Sequence, residues 1–196
     1  MAYSPPRPTL RRWERVAKKT VATYPVFAAE EGRYRDPRGK EHTITTLGAS
    51  DWCNVIAFTP ARELVMLWQY RFAIDDFSLE TPGGVVDLGE TPEAACRREL
   101  REETGYVATS FRELLVFEPN PPMQANRCHT WVAEGATPAT GTSFDDTEEC
   151  ETVLVPESEL KDLLRGGHVR HALILAALET WLLFGADGSS LRAPRG

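Results

Sequence analysis

The stretch from Pro82 to Tyr106 constrains this chain more than any other. Pro82-Gly83-Gly84 allows backbone conformations closed to other residues, so a turn there is nearly obligatory. Thr91-Pro92-Glu93 then supplies a helix start, with a hydroxyl N-cap, proline at the first helical position and an acid in the first turn. Gly105 supplies the stop. Residues three and four apart share a helix face, so Glu99, Glu102 and Glu103 project their carboxylates to one side. Neighbouring like charges destabilise an isolated helix by roughly a few tenths of a kcal/mol per pair. A hard divalent cation reverses that penalty. Magnesium suits an open helix face, because it takes oxygen ligands while keeping waters and sharing substrate phosphates.

Gly84, Glu90, Arg98, Glu99, Leu100, Glu102, Glu103 and Gly105 follow the spacing G-x5-E-x7-R-E-U-x-E-E-x-G-U, where U is a bulky aliphatic residue. The pattern resembles the Nudix box, and only Tyr106, an aromatic at the final U, departs from it. The resemblance implies an α/β (α+β) fold, an α/β/α sandwich with a mixed central sheet. It also implies Mg²⁺-dependent hydrolysis of a pyrophosphate bond, with Mn²⁺ as a possible substitute. By that resemblance the metal falls to Glu99, Glu102, Glu103 and the carbonyl of Gly83, and Glu99 and Glu103 are catalytic. Arg98 orients the box carboxylates by ion pairing, and Gly84 and Glu90 support them. A solvated acidic helix face is the competing account of such a cluster. The full spacing argues against it.

The box does not choose a substrate, so the flanks must. Gln69-Tyr70-Arg71 followed by Glu80-Thr81-Pro82-Gly83-Gly84 is similar to sequences of the ADP-ribose and nucleoside-diphosphate-sugar branch. That makes Arg71 and Glu80 candidate substrate-binding residues, since a guanidinium fork offers paired donors to phosphate oxygens. Glu118 to Met123 and Asn126 to His129 read as a proline-stiffened polar loop before a strand, which nominates Asn120, Asn126 and Arg127; His129 is read as structural. In related enzymes a mobile loop after the box carries a general base. Here Asp145 to Glu151 is acidic, with Glu149 the first choice and Glu148 the second. The expected reaction converts a nucleoside diphosphate sugar, such as ADP-ribose or GDP-mannose, to a nucleoside monophosphate and a sugar phosphate. Two alternatives stand beside it: hydrolysis of a nucleoside triphosphate or dinucleotide polyphosphate, and a nucleotide-sugar-binding regulator without catalysis.

The remaining sequence sets the frame. Its 196 residues suit one substantial domain and a small appendage, expected as residues 1–48 and 49–196. Val21, Tyr24, Val26 and Phe27 suggest a strand over Lys19 to Phe27, and Arg38-Gly39-Lys40 a turn into a second at His42 to Leu47. By resemblance this small antiparallel element is a dimerisation device for a homodimer, in which Trp13, Tyr24, Phe27 and Trp52 could help hold a base. Strands are expected at Asn54 to Thr59, Leu64 to Tyr70, Ser78 to Thr81, Phe111 to Phe117, His129 to Ala133 and Thr152 to Val155, with further helices from Pro156 and from Val169. A net charge of −7 argues against a nucleic-acid surface, which depends on Lys and Arg. The four cysteines show no zinc spacing, and no apolar run can serve as a signal peptide or membrane span. A cytoplasmic protein acting on a small molecule is the expectation.

Overall fold

The computed structural model describes residues 5–6, 8–139, 149–185 and 191–192. The chain forms two compact units, residues 1–49 with 120–125 and residues 50–119 with 126–196. Asn120 therefore falls in the first unit, whereas Asn126 and Arg127 fall in the second.

The first unit is a three-stranded antiparallel sheet, β1 (Glu14–Thr23), β2 (Ala28–Arg35) and β3 (Glu41–Gly48), in the order β1-β2-β3. The expected pair of strands is thus a trio. Lys19 to Phe27 is not one strand: the Tyr24 amide donates to the Phe27 carbonyl at 2.8 Å, so Tyr24 to Phe27 is a turn between β1 and β2. Its apolar residues, which imitate a strand in the sequence, are largely exposed. Ion pairs Lys18–Glu30, Lys19–Glu31 and Arg35 with Glu14 and Glu41 cross the sheet. Exposed pairs of this kind are each worth up to about 1 kcal/mol.

The second unit is built on an eight-stranded mixed sheet. β4 (Trp52–Phe58) and β5 (Glu63–Arg71) pair only at Ala57–Val65 and Phe58–Leu64, beside the turn that joins them. Beyond those rungs the chain returns into the space between them. β6 (Asp76–Glu80) pairs with the far half of β5, and β7 (Gly83–Val85) with the start of β4. The Val55 amide donates to the Pro82 carbonyl at 2.9 Å and bridges the step between β6 and β7. Next come a two-residue strand β8 (Tyr106–Val107), then β9 (Ser110–Phe117) and β10 (Cys128–Glu134). β10 lies parallel to β4 and antiparallel to β9. β11 (Thr137–Pro138) pairs with β8; β12 (Cys150–Pro156) forms one sheet edge on β5, and β13 (Leu191–Arg192) the other on β9.

Among the described residues three helices accompany the sheet: α1 (Pro92–Thr104), α2 (Leu160–Arg165) after a 3₁₀ turn at Glu157–Glu159, and α3 (Ala172–Phe184). Strand alternation divides the core into two layers. Cys53, Val55 and Ala57 pack with Ala95, Cys96 and Leu100 of α1. Ile56 and Phe58 pack instead with Leu160 of α2 and Ile174, Ala177, Leu178 and Trp181 of α3. Sheet between helix layers is the expected α/β/α sandwich. Among the described residues no helix is long and apolar enough to cross a membrane.

Candidate active site

Helix α1 begins and ends where its sequence directs. Thr91 Oγ1 accepts from the Ala94 amide at 3.2 Å, Pro92 opens the helix, and Gly105 closes it at φ 73° with its amide on the Arg101 carbonyl at 2.9 Å. Ala95, Cys96 and Leu100 form the buried stripe, and Glu103 continues it, only 3% exposed. A carboxylate in such a position needs hydrogen-bond donors. One is the Gly83 amide, 2.9 Å from Glu103 Oε2.

The two glycines answer different steric demands. A Cβ on Gly84 would collide with the Glu99 carboxylate as it is placed here, and one on Gly83 with the Cys53 carbonyl of β4. Gly84 thus leaves room for Glu99, while Gly83 lets β7 lie close against β4 and offers its amide to Glu103.

Arg98 ties the remaining acids together. Its Nε and Nη2 reach Glu90 at 3.2 and 3.0 Å, Nη1 reaches Glu99 at 2.8 Å and Glu102 at 3.3 Å, and Nη2 also donates to the Val85 carbonyl at 3.0 Å. Hydrogen bonding to Glu90, then pairing with Glu99 and Glu102, raises the Arg98 pKa against the opposing effect of burial. Glu90 is lowered in turn, chiefly by its hydrogen bonds from Arg98. Among the described residues no three His, Cys, Asp or Glu side chains converge closely enough to form a ready metal cage. The donor chemistry nonetheless fits a hard divalent cation, because Glu99, Glu102 and Glu103 offer only carboxylate oxygens and glycine backbone lies against two of them.

A second charged group stands on β5 and β6. Arg71 donates through Nε and Nη2 to the two oxygens of Glu80, at 2.9 and 2.8 Å. Glu103 is close enough to act on the Arg71 charge. Glu80 is buried, and burial alone would raise its pKa, but the hydrogen bonds and charge of Arg71, with help from His171, leave it below the ordinary carboxylate value.

The other nominated residues are more dispersed. Asn126, 5% exposed, donates from Nδ2 to the Ser50 carbonyl at 3.0 Å. The Arg127 amide donates to Asp51 Oδ1 at 2.8 Å, while its side chain is exposed and 3.9 Å from Glu118. In the first unit the Asn120 carbonyl accepts from the Met123 and Gln124 amides, both at 2.9 Å. His129 lies 3.3 Å from Asp51. Trp13 stacks near His42 and Tyr24 near Phe27 in the first unit, whereas Trp52 opens β4 in the second. Glu149 is exposed beside β12; Glu148 lies outside the described residues.

Glu149 also borders a cavity of about 810 Å³ lined by Trp68, Gln69, Tyr70, Phe72, Phe77 and Glu151, among others. Apart from Tyr70, its aromatic rings belong to no motif of the sequence. The signal available there is a set of aromatics alternating with Gln69 and Arg71 along β5, which places them on the opposite face of the sheet.

A family model for the NUDIX domain matches residues 53–178. The chain belongs to the Nudix family. Relatives of this Nudix protein include a CMP-5'-(N-acetyl-N-hydroxy-3-aminopropyl)phosphonate hydrolase of Streptomyces rubellomurinus, 37% identical over 65% of this chain and 60% of that protein. An ADP-ribose pyrophosphatase of Bacillus subtilis is 32% identical, over 76% of this chain and 82% of its own length. A methanol dehydrogenase activator of Bacillus methanolicus is 34% identical over 48% of this chain and 51% of that protein. The match therefore spans between half and four-fifths of these relatives. Among solved structures, an ADP compounds hydrolase superposes with a TM-score of 0.81 at 20% identity, covering 93% of this chain and 99% of that one, and shares the fold.

Proposed function

We propose that this Nudix protein hydrolyses the phosphoanhydride joining a nucleoside 5′-phosphate to a second phosphorus-bearing group. ADP-ribose, or another nucleoside diphosphate sugar such as GDP-mannose, is the leading substrate. The observation that carries the reading is the meeting of Glu99 and Glu103 at the Gly83-Gly84 backbone, with Arg98 gathering Glu90, Glu99 and Glu102 behind them.

In this reading Glu99, Glu102 and Glu103 hold Mg²⁺, or Mn²⁺ in its place. Nudix hydrolases generally use such divalent cations, and a bound ion supplies charge neutralisation for the diphosphate and acidifies water. Arg98 keeps the carboxylates in place. Gly83 fixes Glu103 through its amide, Arg71 binds a substrate phosphate oxygen, and Glu149 or Glu148 takes the proton from water as general base. Arg127, exposed beside β10, is the downstream candidate for substrate contact. The reading also includes a cytoplasmic homodimer. Light scattering that returns a monomer mass would remove the dimer from it.

A product-resolved assay decides the function. With Mg²⁺ and ADP-ribose, the expected products are AMP and ribose 5-phosphate. Pyrophosphate released from a nucleoside triphosphate, with the sugar nucleotides left intact, would instead support the triphosphate alternative. Calorimetric binding of ADP-ribose without turnover would support a regulator. A second substrate class has a specific observation in its favour, the 37% identity to the Streptomyces enzyme named for a cytidylyl phosphonate. The common chemistry is one phosphorus anhydride on a nucleoside monophosphate, so a CMP-phosphonate belongs in the same assay.

A further inference from the structure

Arg71 and Glu80 share a feature that their separate nomination as substrate contacts does not explain. Glu80 has a side chain only 3% exposed, while that of Arg71 is 41% exposed. Both Glu80 oxygens are engaged by Arg71, at 2.9 Å from Nε and 2.8 Å from Nη2. A third neighbour, His171 at the start of α3, brings Nδ1 to 3.9 Å from Glu80 Oε2. Enclosed in this way, Glu80 has little surface to offer a ligand. A phosphate would also meet repulsion from its negative charge.

The arginine is placed differently. Its paired donors on the Nε and Nη2 side are committed to Glu80, and among the described residues Nη1 takes no hydrogen-bond partner. A planar guanidinium gripped along one edge cannot rotate, so the direction of the remaining donors is set in advance. In the β5–β6 ladder Arg71 stands opposite Asp76 and Glu80 opposite Leu67, on the same face of the sheet at its two ends, so the arginine reaches along the ladder to the acid, and both ends of the pair are held by strands rather than by a loop. Glu103, on the box helix, acts on the same guanidinium, so the free donors belong to the neighbourhood of a proposed metal ligand.

We infer that Glu80 is a positioning residue: it holds the guanidinium of Arg71 by one edge so that the other edge is presented to a phosphate of the substrate. The inference rests on the activity proposed above, and it moves Glu80 from substrate contact to the support of one. Holding the donors beforehand saves the ordering cost at binding, so Glu80 acts on affinity rather than on the chemical step.

Four proteins test this: the wild type, Glu80→Gln, Arg71→Lys and the double variant. Glutamine keeps the shape and one acceptor but cannot clamp the fork with charge, and lysine keeps a cation for buried Glu80 while losing the fork. With ADP-ribose and Mg²⁺, E80Q is expected to raise KM about tenfold and to change kcat less than about threefold. R71K should do much the same. The double variant should be no worse than R71K alone, because Glu80 acts only through Arg71. A KM for folded E80Q within about twofold of wild type overturns the inference, and so do effects that multiply in the double variant.

If the wild type cleaves no nucleotide substrate, the proposed activity falls while the pairing is still decided. The arginine Nε–H resonance that disappears in R71K identifies Arg71. In the wild type it should exchange slowly with water, and in E80Q it should broaden or vanish. An Nε–H equally protected in both proteins overturns the positioning role.

Discussion

Of the arginines that hold carboxylates in this Nudix protein, Arg98 and Arg71 differ in a way that separates support from reach. Arg98, in the middle of α1, spends its donors on Glu90, Glu99, Glu102 and the Val85 carbonyl. Arg71, on β5, is hydrogen-bonded to one acid, Glu80, and among the described residues its Nη1 takes no hydrogen-bond partner. An arginine with several acids around it organises charge for something else to use. One with a single acid and a free edge can meet an anion itself. Under the proposed function, the contrast gives the box to the chemical step and the β5–β6 ladder to binding.

The largest test of that division is Glu103→Gln. Loss of a carboxylate from the proposed metal-holding set is expected to lower kcat about a thousandfold with little change in substrate KM, read by initial rates at saturating Mg²⁺. A KM effect alone would move Glu103 to the binding side.

Arg98→Ala comes next. Three acids would lose their shared counter-ion, and because the side chain is only partly buried the stability loss is expected to be about 2 kcal/mol in urea unfolding. Added Mg²⁺ should recover part of it, since a metal takes over the same charges. Failure of Mg²⁺ to stabilise this variant would argue that the ion does not sit among those acids.

Thr91→Ala removes the cap of α1 and should cost about 1 kcal/mol, measured as a shift in urea midpoint. With the box geometry otherwise kept, kcat should change by less than about threefold. The smallest effect belongs to the other arginine. Glu80 has a folded pKa below its ordinary 4.5, so its contribution to stability is present above that value and is lost as pH falls through the lower, folded value. E80Q should therefore flatten part of the acid limb of the stability curve, leaving its neutral plateau higher or lower but without that slope. An unchanged acid limb would break the assignment of Glu80 as an ionised partner.

Much of this half of the molecule is legible in the sequence because its signals are local. The cap at Thr91 and the stop at Gly105 each depend on residues within a few positions, and the structure places them as read, with the box acids on the helix between them. The small sheet is less legible. β1 is almost wholly exposed and carries no apolar face, so alternation cannot mark it, while Tyr24, Val26 and Phe27 supply apolar residues to a turn. Nor does the sequence reveal that Glu80 is buried or that Asn126 bonds to Ser50. Those facts depend on strands meeting across many residues, and no local pattern encodes which side chains a distant pairing will enclose.

The opening between β4 and β5 has a consequence for how far the signature can travel. Twenty-three contiguous residues identify the box on paper, yet β7 stands against β4, and the Glu103 carboxylate takes an amide from Gly83 that this pairing fixes. A peptide of residues 83–105, even if it formed the helix, would have no strand beside it to hold the glycines against the acids. The motif is thus a portable label but not a portable device. Grafted onto another scaffold it would need the diverging pair of strands as well, and a transplant without them should bind divalent cations no better than any Glu-rich helix.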